Sequence, residues 1–172
     1  MSDLKQPTKY YSNKQESTLA SELGWAQIGG SGAAPCAPGD IKASEWLGEC
    51  KTHTKPSSIT FNYTTWKKIK EEAYSHIKKP VLFVDDGSQK SANTWCMCFA
   101  MNMNASSMVL VDFPVTVKKN ITFDHSKMTY VIKDLAKTYV GEFYQGVAFE
   151  YCWNGDKVLI MPFETFKAMY KK

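Results

Sequence analysis

Apolar and polar positions along the chain fall into alternating helical and extended periods. Ser12 reads as a helix N-cap with Gln15 completing a capping box, and the helix runs through Leu23. Leu19, Ala20 and Leu23 share one face of it with Glu16, an acid on an otherwise apolar stripe. Trp25 to Ile28 predicts a short strand, and Pro38 to His53 predicts a β-hairpin turning at Ser44-Glu45. After a polar loop from Thr52 to Ser58, Asn62 or Thr64 caps a second helix reaching about Ile77. Trp66, Ile69, Ala73 and Ile77 form its inner face.

The apolar run Pro80 to Val84 suits a buried central strand, and Thr94 to Met101 the next one. Met108 to Val117 reads as extended, with Pro114 marking an edge or a bulge. Met128 to Val140 holds a helix over Val131, Ile132, Leu135 and Tyr139. Gly146 to Trp153 and Lys157 to Met161 flank Asn154-Gly155-Asp156, a strong hairpin signal. Pro162 then opens a last amphipathic helix carrying Phe163, Phe166 and Met169. The expected class is mixed α/β, a central mixed sheet flanked by helices with a C-terminal hairpin and helix. Residues 1–11 are expected to fray, residues 12–101 to form the core, and residues 102–172 to be an extension or insertion packed on it.

Composition narrows the function classes. A hydrophobic fraction of 44% with 13% aromatic residues argues for a folded core and against disorder. No apolar run approaches the length of a membrane span, and the polar N-terminus lacks a signal-peptide pattern, so the expectation is a cytoplasmic protein without membrane partners. The 5 cysteines fit free thiols better than a disulfide framework. Cys96 and Cys98 have no second pair at zinc spacing, and His53, His76 and His125 are scattered.

All 21 basic residues are lysines, and the net charge is +4. Without arginine forks, recognition of DNA would rest on phosphate contacts and shape. Seven lysines lie between Lys51 and Lys79 against two acids, Glu71 and Glu72. Lys67, Lys68 and Lys70 on the second helix, with His53 and Lys55 in the loop before it, are the candidate phosphate track.

Candidate chemistry gathers in the first hairpin. Glu49 and Lys51, two apart on a strand, share a face, while Trp46, Gly48 and Cys50 point the other way. With the turn at Ser44-Glu45, Asp40 falls opposite Glu49, roughly 5 Å away between Cβ atoms. Two carboxylates at that distance repel unless a cation lies between them, and such oxygen ligands suit Mg²⁺ or, as a substitute, Mn²⁺. Lys51 is placed to orient a water or to stabilise developing negative charge. The Gly/Ala/Pro-rich stretch from Gly29 to Gly39 lacks a P-loop ending. It is either a flexible connection or a loop whose backbone and Ser31 hydroxyl approach a phosphate.

Glu16 on a first helix, the Gly-Ser-Gly-Ala loop at 30–33, Pro-Gly-Asp40, Glu49-Cys-Lys51, a basic helix and a buried strand together resemble the PD-(D/E)xK nuclease superfamily. Within it the pattern is most similar to the archaeal-type and phage Holliday junction resolvases. The resemblance covers roughly Tyr10 to Met101. Gly39 stands between Pro38 and Asp40, where the superfamily motif has the two adjacent, and the chain has no arginine.

The resemblance implies a restriction-endonuclease-like core and Mg²⁺-dependent hydrolysis of DNA phosphodiesters by a homodimer acting on four-way junctions. It implies that Asp40 and Glu49 bind the metal and that Glu16 completes its environment directly or through water. Lys51 would activate the attacking water, and Ser31 would sit near the scissile phosphate. Two alternatives stay open: a nuclease of the same kind cutting linear, nicked or flapped DNA, and a non-catalytic DNA-binding module.

Overall fold

Two apolar layers, one on each face of a mixed β-sheet, organise the chain. The computed structural model describes residues 8–28, 39–52, 57–88, 90–104, 108–138 and 146–170. Its elements run α1 (Thr8–Leu23), β1 (Ala26–Gln27), β2 (Ile41–Lys42), β3 (Trp46–Thr52), β4 (Ser58–Phe61), α2 (Tyr63–Ser75) and β5 (Lys79–Asp85). They continue with β6 (Thr94–Phe99), β7 (Val109–Asp112), β8 (Ile121–Asp124), α3 (His125–Thr138), β9 (Val147–Trp153), β10 (Asp156–Pro162) and α4 (Phe163–Tyr170). The described strands form an eight-stranded sheet in the order β1-β2-β3-β5-β6-β10-β9-β7, and a separate ribbon pairs β4 with β8.

Because helices cover both faces, the central strands are apolar on both sides. Along β5, Val81 and Phe83 enter one cluster, with Leu19, Leu23 and Phe166. Leu82 and Val84 enter the other, with Trp66, Ile69 and Phe123. Helices α1 and α4 therefore lie on one face, and α2, α3 and the β4–β8 ribbon on the opposite one. Strands β3 and β5 are parallel, with Glu49 beside Leu82 and Thr52 beside Asp85. Two parallel neighbours need a crossover, and α2 supplies it. Asn62 caps α2, its side chain accepting from the Thr64 and Thr65 N–H groups.

The mixed α/β class, the first hairpin, the second helix and the terminal hairpin all match expectation. Asn154 (φ 49°) and Gly155 (φ 88°) both take the left-handed conformation that a two-residue turn requires.

Several boundaries differ. Helix α1 begins at Thr8, so Ser12 lies inside it rather than capping it. The polar loop gives way at Ser58 to β4, whose Ile59 and Phe61 are fully buried. Four residues with two apolar positions are too short to register as a period. The second helix stops at Ser75, so Ile77, expected on its inner face, is 94% exposed with φ 55°. Strand β6 ends at Phe99, and Ala100–Asn102 form a 3-10 turn. Strand β8 and the early start of α3 at His125 carried no recognised signal. Residues 147–162 extend the sheet beyond β6, with β10 inserted between β6 and β9.

Candidate active site on the first hairpin

The site forms where β2 stops covering β3. The two strands pair through Ile41↔Gly48 and Lys42↔Leu47. Extending that register would set Asp40 against Glu49, as the hairpin predicts. Instead the Asp40 N–H donates to the Gly48 carbonyl (2.8 Å), and its carbonyl accepts from the Ile28 N–H (2.8 Å). Asp40 thus lies just before β2, and its carboxylate replaces the missing strand by accepting from the Cys50 N–H (2.9 Å). The acid is held beside Glu49-Cys50-Lys51 by backbone bonding, which is hard to displace.

Glycine is required at position 39, in the turn that leads into Asp40. Its φ is +69°, and a Cβ there would come within 2.8 Å of the Leu47 side chain and 3.1 Å of the Gly48 carbonyl. The Gly39 N–H donates to Glu72 Oε2 on α2 (3.1 Å), so the turn into Asp40 is tied to the crossover helix.

Lys51 Nζ lies 3.2 Å from Glu49 Oε1; Glu49 is buried and Lys51 half-exposed. Buried Glu16 projects from α1, its Oε2 accepting from Gln27 Nε2 (3.3 Å). Burial, then the neighbouring Asp40 carboxylate, pushes the Glu16 carboxyl up to about 6, with Glu49 adding to the rise. Burial and Asp40 likewise raise Glu49, against the pull of Lys51 and Lys68. Glu16 and Glu49 thus each interact electrostatically with Asp40 and Lys51. Cys50 is buried beneath them, its thiol pushed well up by burial first and Asp40 next. It is a packed strand residue rather than a nucleophile.

The other expected residues separate. Lys68 is exposed on α2, 3.7 Å from Glu72 and close enough to Glu49 to act on its carboxyl. Lys67 is exposed on the same helix. Lys70 turns instead to the terminal hairpin, where its Nζ lies 2.8 Å from Asp156 Oδ2 and shares that acid with Trp66 Nε1 (3.1 Å). Ser31, His53 and Lys55 lie outside the described residues.

Three further residues stand at the site: Gln15, expected in a capping box but lying inside α1, and Thr52 and Asp85, whose placement here had no signal in the sequence. Buried Gln15 donates from Nε2 to the Lys51 carbonyl (3.0 Å), anchoring the turn of α1 that carries Glu16. Thr52 Oγ1 donates to Asp85 Oδ1 (2.8 Å), which also accepts from the Gly87 N–H (3.0 Å). Asp85 is fully buried at the end of β5. The parallel pairing of β3 with β5 is what brings Thr52 and Asp85 together.

Among the described residues, no three His, Cys, Asp or Glu side chains come together as a ready set of metal ligands. A hard divalent cation needs fewer: Mg²⁺ commonly keeps several waters and takes one or two carboxylates together with substrate phosphate. Asp40 and Glu49 are two carboxylates of that kind, and the carboxyls of Glu16 and Glu49 are raised by burial first and by Asp40 next. Among the described residues, no helix is long and apolar enough to cross a membrane. No family model matches the chain, and no curated protein matches it in sequence.

Proposed function

We propose that the chain is a metal-dependent DNA endonuclease that hydrolyses phosphodiester bonds in branched DNA, with four-way junctions as its substrate and a homodimer as its working form. The observation that carries this reading is Asp40 held against the Glu49-Cys50-Lys51 segment, with Glu16 in the same field. The order α1-β1-β2-β3-β4-α2-β5, with β3 and β5 parallel, supports a restriction-endonuclease-like core around it. The absence of arginine makes shape and phosphate contacts the natural basis of recognition, which suits a substrate defined by its branching.

Asp40 and Glu49 would hold Mg²⁺, or Mn²⁺ in its place. When bound, such a cation supplies positive charge for the phosphate oxygens and acidifies water. Lys51, with three N–H donors and one engaged by Glu49, would orient the attacking water or stabilise the charge that develops on the phosphate. Glu16, with its raised carboxyl, is suited to accept a proton near neutral pH. Gln15 and Asp40 would position these groups through the β3 main chain.

The test is cleavage of a labelled four-way junction beside linear, nicked and flapped duplexes, with Mg²⁺ and with chelator, for wild type and Glu49→Ala. Paired symmetric nicks in the junction alone, lost in the variant, are expected. Metal-dependent cutting of the other duplexes would keep the nuclease and discard the junction. Binding without cutting anywhere would leave a DNA-binding module. Mn²⁺ should also raise the melting temperature of wild type and not of Asp40→Asn.

A further inference from the structure

Strand β7 ends the eight-stranded sheet, with β9 on one side of it and, among the described residues, no strand on the other. It runs parallel to β9, setting Val109, Leu110, Val111 and Asp112 beside Val147, Ala148, Phe149 and Glu150. The Val109 N–H donates to the Gly146 carbonyl and the Phe113 N–H to the Glu150 carbonyl, both at 3.0 Å. Alternate residues of a parallel strand bond to the same neighbour, so Val109, Val111 and Phe113 are engaged by β9. The N–H and C=O groups of Leu110 and Asp112 therefore point off the sheet, and among the described residues no backbone group bonds to them. Side chains follow the same alternation. Leu110 is 37% exposed and Asp112 is exposed, while Val109, Val111 and Phe113 are only half-buried against the α2-face core. An open edge beside an apolar row that the fold does not finish covering is a template for another strand.

We propose that β7 pairs antiparallel with β7 of a second copy of this chain, about a two-fold axis at Val111, so that two sheets become one. The open groups set that register. Residues that exchange both hydrogen bonds face each other in an antiparallel ladder, so Leu110 of each copy faces Asp112 of the other. Val111 then faces its own counterpart, and Val109 faces Phe113, a β-branched and aromatic pair of the kind that stabilises sheets. No like charges meet, because Asp112 falls opposite Leu110. The next bonded position would set Pro114 opposite Met108, and Pro114 has no N–H to give, so the ladder stops there. The same short segment thus supplies both sides of the match, and a two-fold pairing uses up each edge, giving a closed dimer rather than a growing fibre. Strands β5, β6, β10 and β9 separate β3 from this edge, which leaves the candidate active site clear of the interface. The inference stands on β7 and not on the nuclease chemistry; it gives the homodimer of that reading a surface.

Sedimentation velocity of the full chain over a wide concentration range, without metal or DNA, reads the association, and backbone hydrogen exchange reads the surface. A monomer–dimer equilibrium is expected. The Leu110 and Asp112 amides should exchange about tenfold or more slowly in the dimer than in the monomer, whereas those of Val111 and Phe113, bonded to β9, should be protected in both. Leu110→Pro removes an outward N–H and keeps every bond to β9, a position where an edge strand accepts proline. The two-fold removes two hydrogen bonds at once, so the variant's dimer should be weaker by about tenfold or more. A monomer at every concentration, a dimer whose Leu110 and Asp112 amides exchange freely, unchanged association of the variant, or assemblies that keep growing would each overturn the proposal. Should Leu110→Pro not fold, the wild-type exchange pattern decides it alone. Cutting of DNA by a chain that stays monomeric would strike this inference and leave the nuclease. A β7 dimer that cuts no DNA would do the reverse.

Discussion

The Asp40 carboxylate accepts the Cys50 N–H at 2.9 Å, so an acid from outside the strand is fastened between Glu49 and Lys51. The bond serves two ends. It satisfies a backbone donor left over where β2 stops at Ile41, and it sets three charged groups in one field. Each substitution here therefore carries a stability effect and a chemical one, and the two can have opposite signs.

Glu49→Gln should lose cutting by about a hundredfold or more, the scale of a removed general acid–base or charge-stabilising group. Its melting temperature in chelator should rise, because burial and Asp40 penalise the charged form of Glu49 in the fold. Lys51→Ala should lose cutting comparably while DNA binding persists. Wild-type turnover by either variant would take the triplet out of the reaction.

Glu16 gives a pH signature. Its carboxyl stands at about 6 in the fold against 4.5 ordinarily, so between these values the folded chain binds more protons than the unfolded one. Its contribution then falls as pH rises from 4.5 through about 6 and is a full penalty above. Glu16→Gln should stabilise the chain at pH 7 by no more than about 2 kcal/mol and by nothing near pH 4. Melting curves across that window check it, and a gain that grows towards acid pH would contradict the sign.

The three lysines of α2 should part company. Replacing Lys67 and Lys68 with alanine should weaken DNA binding and flatten its salt dependence, by about 0.9 in log–log slope for each phosphate no longer neutralised. Lys70→Ala should leave the slope alone and destabilise the chain by about 1 kcal/mol, because its ammonium holds Asp156 across the terminal hairpin. An equal effect of all three on the slope would place Lys70 on the DNA as well.

Gly48 tests the packing beneath the hairpin. A Cβ there would stand 2.9 Å from the Phe83 ring and 3.0 Å from the Ile41 side chain. Gly48→Ala should destabilise by about 1–3 kcal/mol and lower activity through the displaced neighbours of Glu49. A melt indistinguishable from wild type would show that Phe83 yields freely.

Periodicity and turn chemistry alone determined a large part of this protein. Asn62 as a cap, the Trp66-Ile69-Ala73 stripe, the Asn154-Gly155 turn and the Glu49/Lys51 face are local properties, set by backbone geometry within a few residues, and they are legible in the chain. That Asp40 lies beside the Glu49-Cys50-Lys51 segment was legible for the same reason, since the hairpin is short. Only the tertiary structure decided what depends on distant neighbours. It placed β10 between β6 and β9, paired β4 with the remote β8, and turned Lys70 to Asp156 rather than outward. It also joined Thr52 to Asp85 through a parallel register that no local pattern encodes. Pairing between separate strands and the choice of partner for a long charged side chain are settled by burial and packing of the whole sheet, and those have no period in the sequence.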